Sequence, residues 1–315
     1  MIVLDVLAPI VFLIVLGAIL RAGGFLTAGF FREANRLVFW IGIPSLLFRS
    51  LATAKPQLDA AANISTTLLA VTAACIVLGY GAGRLFRLPR SSLASFVQGS
   101  YRGNLVYVGL PVVLYALAAV GQDTPEREAV ALLAIAPLVP VYNIVAVLLL
   151  LGARPTREVG YIRQTGKLLW GVATNPLVVA CLAGLAYAYL GLPLPMVVDR
   201  SLAILGQMAL PLALLSIGAS LRVWAIREGG LAAAGASLIK VVIAPMAGFV
   251  IARWLGLGAT ELLITLLYLT MPTAVMSYVM AERMGADGSL AGSIVVLSTV
   301  LAMPALAVVL VTITQ

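Results

Sequence analysis

The chain has 315 residues, 62% hydrophobic and 10% charged, with a formal net charge of +8. Soluble domains run nearer about 45–50% apolar and about 25% charged, so a water-soluble core could not hide this much apolar surface. The composition defines an all-α polytopic membrane protein. There is no histidine, which removes histidine metal sites, general bases and proton relays. Cys75 and Cys181 each lie in an apolar run and read as small core residues, not a disulfide or a metal pair. No cofactor and no metal is expected. The basic excess sits in loops between apolar runs, where it sets orientation, so it does not point to nucleic acid.

A span needs about 20 mostly apolar residues. Scanning on that basis predicts ten: 3–20, 34–51, 63–83, 91–120, 129–151, 168–190, 199–220, 231–254, 259–281 and 289–312. The N-terminal run lacks the basic region of a signal peptide and carries Asp5, so it reads as a true first span. The odd-numbered loops hold most of the arginine and lysine, including Arg32, Arg84, Arg90, Arg154, Arg163 and Lys167. The fourth loop, GQDTPERE, is acidic. Basic loops stay in the cytoplasm, so both termini are expected outside the cytoplasmic (inner) membrane.

An internal repeat follows. Pro9 and Pro176, Gly17 and Gly184, Gly24 and Gly191, and Pro44 and Pro211 are all 167 residues apart. Five spans per half-unit invert the second copy in the membrane, giving halves 1–155 and 156–315. Inverted repeats of this kind build secondary transporters, with the site at the midplane where broken helices meet. Pro44, Pro211 and Pro304 are read as ordinary kinks that free the carbonyls of Trp40, Gln207 and Val300.

Spans four and nine differ from the rest. QGSYRGNLVYVGLPVV places Gly103–Asn104 near the middle of span four. YLTMPTAVMSYVMAERMG places Pro272–Thr273 at the matching depth of span nine. Backbone that leaves helical pairing at this depth survives only if it is buried in protein or lines a wet cavity. The spacing therefore predicts a broken, crossing helix in each half, with half-helices restarting near Leu105 and Ala274. Each of the two N-termini has unpaired N–H groups and about half a positive charge, and so favours an anion.

Arg102 lies beside the first break, and no Asp or Glu lies deep in any span. Its counter-charge is either the substrate, or the side chain folds onto exposed carbonyls or snorkels to an interface. Lys240 is expected to snorkel to the cytoplasmic side. Asn104 is a candidate site-lining amide, since a buried amide must find partners and this one borders freed backbone. Thr273, Ser277 and Asn143 are weaker candidates, because small polar residues also tie membrane helices together.

At this point the residues resemble a known family. The run Asn104-Leu-Val-Tyr-Val-Gly109-Leu-Pro111 is similar to the first crossing helix of the auxin efflux carriers. Pro272 to Asp287, with the following span through Pro304, resembles their second crossing helix and last span. GIPSLLFRSLA and MALPLALLSIGASL also fit spans two and seven. The resemblance implies two inverted halves of five helices, related in fold to bile-acid and sodium symporters. Spans 1, 2, 6 and 7 would form a dimerising scaffold. Spans 3–5 and 8–10 would form a domain that moves in an elevator-like way. It implies an organic-anion substrate, such as auxin or a small carboxylate of the malate or malonate kind. The resemblance places Asn104 and Pro272 at the site; the reading of the residues themselves adds Arg102, Gly103, Tyr107, Thr273, Ser277 and Asn143 as candidates. Two features depart from plant members: Gly103 stands where they have proline, and only ARPTREVGYIRQTGK joins the halves.

Three other functions compete with this reading. Sodium coupling is the nearest alternative, since freed carbonyls exist here although deep carboxylates do not. An intramembrane enzyme lacks a nucleophile–base pair or paired carboxylates. A ligand sensor without transport has no distinguishing residue.

Overall fold

A computed structural model describes residues 2–53, 57–152, 174–220 and 229–314. The start of the sixth span and the basic residues Lys55, Arg154, Arg157, Arg163, Lys167, Arg222 and Arg227 lie outside the described residues. Among the described residues the regular structure is helical, apart from one isolated bridge.

The first half contains α1 (Ile2–Ala22), α2 (Ala28–Leu37), α3 (Ile43–Thr53), α4 (Leu58–Leu85), α5 (Arg90–Tyr101), α6 (Leu110–Ala119), α7 (Pro125–Ile135) and α8 (Leu138–Gly152). The second contains α9 (Pro176–Tyr189), α10 (Met196–Ser220), α11 (Gly230–Leu238), α12 (Ala244–Trp254), α13 (Ala259–Thr270), α14 (Met276–Arg283) and α15 (Gly288–Thr314). Six stretches are long and apolar enough to cross a bilayer: Ala28–Thr53, Leu58–Leu85, Pro125–Gly152, Met196–Ser220, Gly230–Trp254 and Gly288–Thr312. Shorter apolar helices run over Leu7–Ala22, Leu105–Ala119, Pro176–Tyr189 and Ala259–Thr270. The molecule is a multi-pass membrane protein.

Three prolines act through the turn before them. Val38–Gly42, Leu105–Gly109 and Ile239–Ile243 are π turns, and Pro44, Pro111 and Pro245 each follow two residues later. In each case the residue just before the proline reaches back five positions: Ile43 to Val38, Leu110 to Leu105 and Ala244 to Ile239. A proline ring removes one donor and crowds the carbonyl four residues earlier. One extra residue in the preceding turn shifts that carbonyl aside and changes which side chains face inward. Pro211 and Pro304 lie inside continuous helices.

Glycines set the closest helix contacts. α1 meets α10 where Gly17 faces the Leu215 carbonyl and Gly218 faces the Ile14 carbonyl, so a Cβ at either position would strike backbone. α9 meets α3 in the same manner, with Gly184 over Phe48 and Leu51. The Arg49 guanidinium donates to the Asp199 carboxylate at 2.7 and 3.3 Å, which ties the end of α3 to the start of α10. The largest buried cluster gathers Ile64, Leu68, Phe96, Tyr101, Leu267, Tyr268 and Ile294 around the interruption in span four. A second cluster joins Val38, Leu47, Leu132, Leu177 and Ala209. Cys75 and Cys181 are buried and unbridged.

Candidate functional site

α5 and α13 each run for 12 residues before stopping. At about 1.5 Å per residue each covers ~18 Å, a little over half of a hydrocarbon core about 30 Å thick. α5 stops at Tyr101 and the chain resumes helical winding at Leu105. α13 stops at Thr270, and α14 starts at Met276, two residues later than the sequence suggested.

The two interruptions pair with one another. Gly103 and Thr273 form an antiparallel bridge. The Asn104 N–H donates to the Pro272 carbonyl at 2.8 Å, and the Ala274 N–H donates to the Arg102 carbonyl at 2.9 Å. Backbone that cannot be helical is thus satisfied across the crossing, as a nonpolar surrounding demands. Proline at 272 suits this role, because only its carbonyl is called on. The Asn104 carbonyl receives the Val108 and Gly109 N–H groups and so starts the second half of span four.

Arg102 is 5% exposed. Its guanidinium donates to Asn143 Oδ1 at 2.7 Å and to Met280 Sδ at 2.9 Å. It neither folds onto carbonyls nor snorkels, and among the described residues no carboxylate lies within ion-pair distance of it. Asn143 is oriented for this task, since its amide donates to the Val139 carbonyl at 3.0 Å. The preceding pair of residues locks the same contact: the Tyr101 hydroxyl donates to the Tyr142 carbonyl at 3.2 Å, with the two rings 5.4 Å apart.

The remaining candidates divide into spent and unspent groups. The Thr273 hydroxyl donates to the Gly99 carbonyl at 2.7 Å, and the Thr273 N–H donates to Ser298 Oγ at 3.0 Å. Thr273 therefore fastens the crossing to α5 and α15. Asn104 and Ser277 are buried. The Ser277 hydroxyl has no hydrogen-bond partner among the described residues. Tyr107 is half-buried in the π turn beyond the break and packs against both apolar clusters.

Beside the crossing, one polar residue is not singled out by the sequence and another is misplaced by it. Gln98 is fully buried, and both ends of its amide lack a partner among the described residues. Its signal was present in SFVQGSYRGN, one turn ahead of the break. Leaving such a group unpaired in an apolar interior costs about 1–3 kcal/mol. Lys240 corrects an expectation. It lies about 15 Å past Gly230 along its span, and it is 2% exposed instead of snorkelling. Its ammonium donates to the Leu269 carbonyl near the end of α13. The π turn forced by Pro245 contains it. A Cβ on Gly103 would lie 3.0 Å from Lys240 Cε and 3.3 Å from Nζ, so the glycine leaves room for the lysine stem.

Apolar spans surrounding two paired helix breaks, with buried cations and an unsatisfied amide beside the crossing, are the arrangement expected of a membrane transporter. The profile described as membrane transport protein matches residues 2–310. The chain belongs to this family, that of the auxin efflux carriers which the crossing motifs resemble. The uncharacterized transporter MJ1031 of Methanocaldococcus jannaschii is 23% identical over 305 residues, 95% of each chain.

Proposed function

We propose that this transporter carries small organic anions, carboxylates of the malate or malonate kind or aromatic ones of the auxin kind, and that they bind at the crossing. One observation carries the reading. Arg102 is buried at mid-depth and held by two neutral groups, an amide oxygen and a thioether. A guanidinium at the bilayer centre costs at least about 2.5–3.5 kcal/mol on insertion scales, so an anionic partner that visits the site is the natural compensation. Asn104, Gln98 and Ser277 add polar groups for the oxygens of a carboxylate. The ends of the second half-helices, near Leu105 and Met276, contribute unpaired N–H groups.

The same reading takes the chain as ten membrane helices in two inverted repeats, 1–155 and 156–315. Contacts at the repeat spacing support it. Gly17 against Leu215 and Gly184 against Phe48 are one contact made twice, since residues 17 and 184, and 48 and 215, are both 167 apart. Spans 1, 2, 6 and 7 then serve as a scaffold, and spans 3–5 with 8–10 carry the crossing in an elevator-type motion. Both termini face outward across the cytoplasmic membrane. The scaffold dimerises, with the apolar groove of Phe30, Leu37, Trp40 and Leu212 as a candidate face.

Uptake of labelled mono- and dicarboxylates into proteoliposomes tests the function. Wild type accumulates at least one of them. Arg102→Gln and Asn104→Ala lose that uptake by tenfold or more, about 1.4 kcal/mol, while eluting as folded protein. Normal transport by both variants removes the crossing as the site.

A further inference from the structure

We propose that Lys240 is a resident cation. Its ammonium holds, at the carboxyl end of α13, the place a dissociable alkali cation would otherwise take, so the transporter needs no sodium. The inference rests on the crossing being the transport site.

The two breaks release backbone carbonyls. A helix leaves its last carbonyls without intrahelical partners, and its carboxyl end bears a partial negative charge. In interrupted membrane helices such ends, with the unwound carbonyls beside them, are where cations are coordinated. Here both first half-helices end at the crossing, α5 at Tyr101 and α13 at Thr270. Gly99 and Leu269 stand at equivalent places, 170 residues apart, the spacing that also separates Gly103 from Thr273.

The two carbonyls are satisfied differently. That of Gly99 receives a neutral hydroxyl, from Thr273. That of Leu269 receives a full positive charge, from Lys240. No carboxylate among the described residues pairs with Lys240, so its charge is placed against backbone dipoles, as a bound metal ion's would be. Two sequence features serve this placement. Pro245 imposes the π turn that contains the lysine. Gly103 lacks the Cβ that would press on Lys240 Cε and Nζ. A lysine reaching only for lipid headgroups would not need the room that Gly103 leaves.

The test uses purified full-length protein without any organic substrate, so it does not depend on which anion is carried or on whether one is. Thermal unfolding is measured in choline, potassium, sodium and lithium chloride at matched ionic strength. Wild type is expected to melt at the same temperature in all four. Lys240→Ala is expected to melt lower in choline and to regain stability saturably with sodium, potassium or lithium. Lys240→Gln keeps a donor for the Leu269 carbonyl without charge; it should fold and show the same rescue with smaller amplitude. Saturable stabilisation of wild type by sodium overturns the proposal whatever the variants do. So does a folded Lys240→Ala or Lys240→Gln that ignores every alkali cation.

Discussion

At the scale of single residues the crossing depends on fit around Gly103. A side chain there must displace the Lys240 stem or the Leu105 side chain, which stands 3.3 Å from the site of a Cβ. Gly103→Val is therefore expected to lower stability by about 1–3 kcal/mol, the usual range for overpacking. Part of that loss should be absent when the same change is made in Lys240→Ala, because the two residues share the space. A double-mutant cycle on melting or denaturant midpoints measures this coupling, expected at about 0.5–3 kcal/mol. Additive effects would mean that the contact carries no energy. Of the residues involved, Arg102, Gly103, Asn104, Pro272 and Thr273 were legible in sequence, since breakers and polar groups stand out in an apolar run. Lys240 was not. Its direction is decided by a π turn, and a count of turns from the membrane surface assumes a regular helix. Gln98 is hard to single out in sequence, because a lone amide in a span looks like an ordinary interhelical hydrogen bond until its surroundings are known.

Between helices, stability depends on where backbones touch. α1 and α10 approach so closely at Gly17 and Gly218 that a Cβ would meet a carbonyl oxygen of the other helix. Backbone cannot step aside as a side-chain tip can. Gly218→Leu should therefore separate the helices and cost about 3 kcal/mol or more, at or beyond the top of the ordinary range for single substitutions. Gly81 in α4 is the control, because it is exposed and a Cβ there meets nothing within 4 Å. Gly81→Ala should be neutral or stabilising by up to about 1 kcal/mol through helix propensity. Retention of monodisperse protein on heating separates the two outcomes. Equal behaviour of both variants would contradict the packing described. The long apolar spans were legible from hydropathy, and the two breaks from their glycine and proline. The register of α1 on α10 was not, because the four equally spaced glycine and proline pairs do not say which helices meet. The role of Pro44 was read as a simple kink, whereas the chain absorbs it in a widened turn.

For the molecule as a whole, orientation and site are separate claims. The charge of the loops expects outward termini, so a periplasmic reporter such as alkaline phosphatase fused after Gln315 should be active, and a fluorescent protein there should be dark. The reverse pattern would invert the chain in the membrane and exchange the two mouths of the pathway, while leaving the crossing unchanged. The central claim is narrower: an anion occupies the place where the interrupted helices meet. Ser277 offers the most direct probe, since its hydroxyl is buried beside the break with no partner among the described residues. In a background with Cys75 and Cys181 replaced by alanine, Ser277→Cys is labelled with a small maleimide, with and without the transported carboxylate. The carboxylate is expected to slow labelling at concentrations that half-saturate uptake, while a carboxylate that is not transported leaves the rate unchanged. Labelling that is unaffected by a saturating transported anion would contradict the account.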